Sequence, residues 1–166
     1  MSSRHFDSLD TLLGPLYFIA ALLIATPLMD FATSILPLRV SSIEWRFATV
    51  GLMSGFLLTP LLGIVIVIAL AAYADHVRFL RLVSILNGIV AVLFVILLIL
   101  FALDVIQLRS VVQEQAKGAF QAAAAKAVVK HATFILALGW LSVRGFRASR
   151  WSIPARKRVT VVPVGS

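Results

Sequence analysis

The chain has 166 residues, of which 61% are hydrophobic and 13% are charged, whereas soluble domains have about 45–50% and about 25%. A small soluble fold leaves much of its surface in water, so this composition excludes a soluble globule or a disordered chain and indicates lipid as the solvent. The absence of cysteine excludes disulfides and thiolate metal sites. The net charge is +8, and the basic residues flank the apolar runs. This arrangement is typical of membrane proteins and argues against nucleic-acid binding.

Four apolar stretches predict four membrane-spanning helices, since a span needs about 20 residues. The first, at about 11–36, has no clear cleavage site and is therefore predicted to be a retained helix and not a signal peptide. The second and third, at about 47–74 and 80–104, have long uncharged cores. The fourth, at about 124–147, has an alanine-rich first half that carries lysines, which we expect to snorkel or to pair.

Local motifs predict where these helices begin and end. The segment 41–44, Ser-Ser-Ile-Glu, has the spacing of a capping box and predicts that the second helix begins near Ser42. Gly118 is the predicted break before the fourth helix, and apolar residues continue past the third span. The expected fold is an all-α integral membrane protein. It is an antiparallel four-helix transmembrane bundle (residues 1–149) whose third and fourth helices project beyond the membrane, followed by a basic extended tail (150–166).

The distribution of lysine and arginine predicts the orientation. With four spans, nine basic residues lie on the side of both termini and six lie on the other side. This bias places the two termini in the cytoplasm, and the chain is predicted to lie in a bacterial inner membrane.

Small residues at four-residue spacing predict close helix packing. The second span contains a GxxxG motif at Gly51 and Gly55, which Thr59 and Gly63 extend, and the third span has a shorter small face with Ser84 and Gly88. Such a face lets another helix approach closely. It could pack inside the bundle, or it could contact another subunit or a flat cofactor.

Ionisable residues are predicted to form a layer near the non-cytoplasmic boundary. The members of this layer are Asp30, Arg46, Asp104, Lys126, Lys130 and His131. They could pair with one another and with headgroups, or they could form a proton or ion pathway. A second basic group is expected to contact anionic headgroups or a partner at the cytoplasmic side. It consists of Arg144, Arg147, Arg150, Arg156, Lys157 and Arg158.

No motif of catalysis or nucleotide binding is present, so no catalytic residue, no metal site and no enzymatic activity are predicted. The three histidines do not lie at one depth, which argues against a haem with two histidine ligands. Asn87 is the only amide deep in a span, and we expect it to hydrogen-bond a neighbouring helix. No cofactor is predicted and a bound lipid is expected. A bound pigment is an alternative that the sequence leaves open.

Three functions are compatible with these features. The first is a non-catalytic structural or accessory subunit of a larger respiratory, photosynthetic or secretory membrane complex, whose partners are other membrane subunits and anionic lipids. The second is a small oligomeric transporter or channel that uses Asp30, Asp104 and His131. The third is a membrane enzyme or a lipid-handling protein.

Overall fold

A computed structural model describes the backbone of residues 4–151 and the side chains of residues 11–150. The described chain is helical and has no strand. Its helices are α1 (Arg4–Ser34), α2 (Ile43–Phe56), α3 (Leu58–Tyr73), α4 (Val77–Arg109) and α5 (Lys117–Trp151), with a short 3-10 turn at Glu114–Ala116. The all-α prediction is therefore confirmed for the described residues.

Three of these helical segments are long and apolar enough to cross a membrane. They are Thr11–Ser34, Val77–Arg109 and Glu114–Arg150, and the pair α2 and α3 would add a fourth if it forms one bent span. Large apolar side chains point outward along them, including Ile96 and Leu136, which are 51% and 73% exposed. Outward apolar side chains on long helices indicate insertion into a membrane.

The second predicted span is not one continuous helix. A break at Leu57 separates α2 from α3, and the two axes differ by 47°. Pro60 gives the physical reason, because it has no N–H for the carbonyl of Phe56 and its ring crowds that carbonyl. The stretch predicted as the second span, at about 47–74, therefore contains two helices that meet at a bend.

The start of α2 agrees with the sequence, although the capping detail differs. Ser42 is the N-cap, and its hydroxyl accepts a hydrogen bond from the backbone N–H of Trp45 at 3.2 Å. The Glu44 carboxylate accepts from the Ser42 hydroxyl at 2.7 Å, so it lies one position too early to close a capping box.

The last helix begins and ends at residues other than those predicted. The break before α5 lies at residues 110–116, and Gly118 is already in the first turn of the helix. A 3-10 turn and the Lys117–Glu114 ion pair lie at the start of this helix, and the chain turns here without a glycine. At the other end α5 continues to Trp151, past the predicted boundary at 149, and the rest of the predicted tail lies outside the described residues.

Two helix pairs form the most extensive contacts: α4 with α5, and α1 with α3. Small residues allow both. Gly63 of α3 lies directly against the backbone of Ala20 in α1, and Gly145 of α5 lies against the Ser84 hydroxyl of α4. Larger apolar side chains fill the centre around Phe134 and Leu138, and a second cluster surrounds Phe101. Helix α3 also contacts α4 and α5, so the two pairs belong to one packed unit.

Candidate functional site

The predicted small-residue face is divided between two environments. A Cβ atom at Gly63 would lie 2.8 Å from the Ala20 carbonyl oxygen, and one at Gly88 would lie 2.9 Å from the Ser142 hydroxyl. The Ser142 hydroxyl also donates to the Ser84 carbonyl at 2.7 Å, which ties α5 to α4. At Gly51 and Gly55, by contrast, the described part of the chain leaves open space, and Thr59 is exposed. The GxxxG pair therefore faces away from the contacts within the chain.

The structure brings together two members of the predicted layer of charges. Arg46 of α2 donates two hydrogen bonds to the Asp104 carboxylate of α4, at 2.9 and 2.6 Å, and one to the Val40 carbonyl at 2.9 Å. The Asp104 side chain is 9% exposed and that of Arg46 is 37% exposed. A two-pronged contact with a buried carboxylate is the geometry in which arginine pairs most strongly.

The other members of the layer do not join this pair. Asp30, Lys126 and Lys130 are exposed, and within residues 11–150 none of them forms an ion pair. His131 is fully buried on α5, where its Nδ1 hydrogen-bonds the Ala127 carbonyl at 2.8 Å. Its Nε2 has no partner among the described residues. Among the described residues, the predicted layer therefore consists of one ion pair and separate groups.

The described basic residues near the end of α5 are exposed. Arg144 lies over the Trp140 ring and Arg150 over the Phe146 ring, at 5.5 and 5.4 Å, while Arg147 is also exposed. Arg156, Lys157 and Arg158 lie outside the described residues.

A cavity that the sequence analysis did not predict lies between α1, the α2–α3 break and α4. Its volume is about 910 Å³, within the usual range for sites of small molecules. Two buried prolines line it, Pro27 of α1 and Pro60 of α3, together with Leu57 at the break and Phe134 of α5. The α2–α3 break interrupts regular helix, and Pro27 lacks a backbone donor within α1, so the cavity lies beside irregular backbone hydrogen bonding.

Asn87 is the polar group deep in this cavity. It is 4% exposed, and its side-chain nitrogen has no hydrogen-bond partner among the described residues. The expected hydrogen bond to a neighbouring helix is therefore not formed by that nitrogen. Apolar neighbours such as Val83 and Val90 surround the amide in the cavity wall. A buried amide donor without an acceptor is costly, and this nitrogen has less than 1 Å² of accessible surface.

The cavity ends near the α3–α4 hairpin in a small aromatic and polar group. Asp75 adopts a left-handed backbone conformation there, with φ of 52°, which short polar side chains tolerate, and His76 follows it. Tyr17 of α1 stacks on the His76 ring, with its hydroxyl 3.4 Å from Nδ1, and meets Phe79 edge-on. These side chains close one end of the cavity, where the Tyr17 hydroxyl and the His76 ring are its polar groups.

The described residues contain no group of three histidine or acidic side chains that could hold a metal ion. No family model, curated protein or solved structure matches the chain. The sequence indicates a buried amide at Asn87, but its convergence with Pro27 and Pro60 depends on how the helices pack.

Proposed function

We propose that this chain is an antiparallel four-span membrane bundle that binds a lipid-like molecule within the bilayer. Four spans require α2 and α3 to act as one bent span. An antiparallel arrangement of α4 and α5 is supported by their contacts, because Ser84, Gly88 and Phe94 meet residues 145, 142 and 134 in falling order. The two helices have 33 and 35 residues, about 50 Å each, which supports projection beyond a hydrocarbon core of about 30 Å.

The observation that carries the binding proposal is the cavity with Asn87 in its wall. Its lining is apolar except for Tyr17, His76 and Asn87, and no charged side chain of the described residues reaches it. Binding sites for small molecules combine apolar walls with a few placed polar groups in this way. The cavity is only partly enclosed, so a ligand can enter sideways from the bilayer. This proposal develops the lipid-handling alternative and the expected bound lipid, and it requires no catalytic group.

A cavity-filling substitution tests the proposal. Val83→Trp places a large ring in the cavity, whereas Val92→Trp places the same ring on a 60% exposed position that does not line it. The protein is purified in mild detergent from its native membranes, and bound molecules are identified by native mass spectrometry and solvent extraction. We expect a stoichiometric apolar ligand with the wild type and Val92→Trp, and its loss with Val83→Trp. Equal ligand recovery from all three proteins would contradict the proposal.

We propose a role as a subunit of a larger complex as the second candidate. The open space at Gly51 and Gly55 supports it, because a GxxxG face without an internal partner is suited to a helix of another chain. Gly55→Leu should then lower the recovery of partner subunits in a mild-detergent pull-down, while Gly139→Leu on α5, also in open space, should not. Unchanged recovery with Gly55→Leu would contradict this role. A bacterial inner-membrane location with cytoplasmic termini is part of both proposals.

A further inference from the structure

We infer that the ligand is a long-chain amphiphile whose uncharged polar head lies at Tyr17 and His76 and whose chain extends along α4 toward Phe94. This inference rests on the proposed binding function and specifies the ligand's chemistry and its direction in the cavity. It is drawn from the distribution of polar side chains along the cavity and from the cavity's length.

Two of the three polar side chains that line the cavity lie together at one end. They are Tyr17 and His76, of which the first is half-buried and the second is exposed. The third, Asn87, lies further along α4, and its side-chain nitrogen has less than 1 Å² of accessible surface, so that nitrogen is not available to a ligand. Beyond Asn87 the side chains of α4 that line the cavity are apolar, at Val90 and Phe94.

The cavity extends far from the Tyr17–His76 pair along two helices. At 1.5 Å per residue, His76 and Phe94 are about 27 Å apart along α4, and Tyr17 and Phe31 are about 21 Å apart along α1. Phe31 meets Phe56 beside the α2–α3 break, with 6.2 Å between the ring centroids, so this end of the cavity is apolar. A polar head there would lose its hydration without gaining a hydrogen bond, whereas a hydrocarbon chain would bury apolar surface.

The lining also indicates that the head is uncharged. No aspartate, glutamate, lysine or arginine of the described residues lines the cavity. Asp75 and Arg78 lie close to His76 in the chain, and both are exposed and of opposite sign, so this edge has no net charge that would select an ionic head. A tyrosine hydroxyl and a neutral imidazole ring can each donate or accept a hydrogen bond. An uncharged head such as a hydroxyl therefore finds partners at Tyr17 and His76 without an ion pair.

Two photoreactive long-chain alcohols test the direction of the ligand. One carries a diazirine beside the hydroxyl, and the other carries it at the end of the chain. The purified protein is illuminated with each probe in nanodiscs, and the modified residues are identified by mass spectrometry. We expect the first probe to modify Tyr17 or His76, and the second to modify Phe31 or Phe94. Modification of the same residues by both probes, or the reverse pattern, would overturn the inference.

Competition against the chain-end probe measures recognition of the head. The competitors are oleyl alcohol, the hydrocarbon octadecene and ionised oleate. We expect oleyl alcohol to compete about three- to tenfold more strongly than octadecene, which is the effect of one net hydrogen bond, and more strongly than oleate. Tyr17→Phe combined with His76→Leu should abolish the advantage over octadecene and retain octadecene binding. Tyr73→Phe, at an exposed tyrosine that does not line the cavity, should keep the advantage.

An advantage of oleyl alcohol that survives the double variant would overturn the inference, and stronger competition by oleate would contradict the uncharged head. Either result could occur while Val83→Trp still displaces an apolar ligand, in which case the binding function stands without this head site. If neither probe modifies the cavity lining and Val83→Trp has no effect on bound molecules, the binding function itself fails.

Discussion

Gly63 lies at a contact between α1 and α3 that leaves no room for a side chain. A Cβ atom there would lie 2.7 Å from Ile24 Cγ1 and 2.8 Å from the Ala20 carbonyl oxygen. Alanine favours a helix by up to about 1 kcal/mol over glycine, yet Gly63→Ala must push the two helices apart, which typically costs about 1–3 kcal/mol. We therefore expect Gly63→Ala to lower the free energy of unfolding in mixed micelles. Gly139→Ala, in open space on α5, is the control and should lose nothing; equal stability of the two variants would show that α1 is not packed on α3 at this point.

The Arg46–Asp104 pair joins α2 to α4 beside a stack of aromatic rings formed by Phe47, Phe101 and Phe120. Asp104→Asn removes one charge from a two-pronged contact and leaves the other charge partly exposed, so we expect a loss of about 1–3 kcal/mol in unfolding free energy. In a double-mutant cycle with Arg46→Gln, the losses should be less than additive by at least about 0.5 kcal/mol. The exposed Glu114–Lys117 pair provides the comparison, and its cycle should give a smaller coupling. Strict additivity at 46 and 104 would mean that the pair does not hold the helices together.

At the scale of the helices, the break at Leu57 bends the second apolar stretch by 47° and gives the cavity its curved wall. Pro60→Ala restores a donor to the Phe56 carbonyl and removes the ring that crowds it, so α2 and α3 should approach one straight helix. Spin labels can be attached to Cys substitutions at Ala48 and Ala72 without background, because the chain has no cysteine. We expect their separation to increase by roughly 3 Å in Pro60→Ala, from helix geometry. An unchanged distance would assign the bend to packing and not to proline.

Hydropathy located the helices well because the bilayer sets their length and composition together. Helix α4 covers the third predicted span, α5 covers the fourth despite Lys126 and Lys130, and α1 covers the first as far as Ser34, two residues short of its predicted end. The same pattern could not locate the break at Leu57, because backbone hydrogen bonds lost at a proline leave the average hydropathy unchanged. It could not locate the turn at residues 110–116 either, since a 3-10 turn and an ion pair there replaced the glycine expected at 118.

At the scale of the whole molecule, the site was harder to predict than the helices. The pairing of Arg46 with Asp104 follows from two charges at one predicted depth, so the sequence contained a signal for it. The cavity has no such signal, because it depends on the relative rotation of α1, α3 and α4. His131 and Asn87 were assigned by depth alone, and depth does not determine which neighbours a side chain meets. Partner-binding surfaces are also hard to predict in a membrane protein. Most outward residues are apolar whether they contact lipid or a partner chain, so hydropathy does not distinguish the two.

The number of spans and the side of the N-terminus together determine on which side of the membrane each loop lies. With a cytoplasmic N-terminus, one bent α2–α3 span would place the α3–α4 hairpin in the cytoplasm and the α4–α5 turn on the far side, and a re-entrant α2–α3 pair would exchange these positions. Tyr73→Cys and Val111→Cys place single thiols beside the two turns, at positions 52% and 73% exposed. With a membrane-impermeant maleimide on intact cells, we expect labelling of Val111→Cys at once and of Tyr73→Cys only after permeabilisation. The excess of arginine and lysine on the side of the termini favours this result, because basic residues are retained in the cytoplasm during insertion. The opposite labelling pattern would contradict four spans with a cytoplasmic N-terminus. Three spans with a cytoplasmic N-terminus and four spans in the inverted orientation both produce that pattern, and a thiol label near the N-terminus distinguishes them.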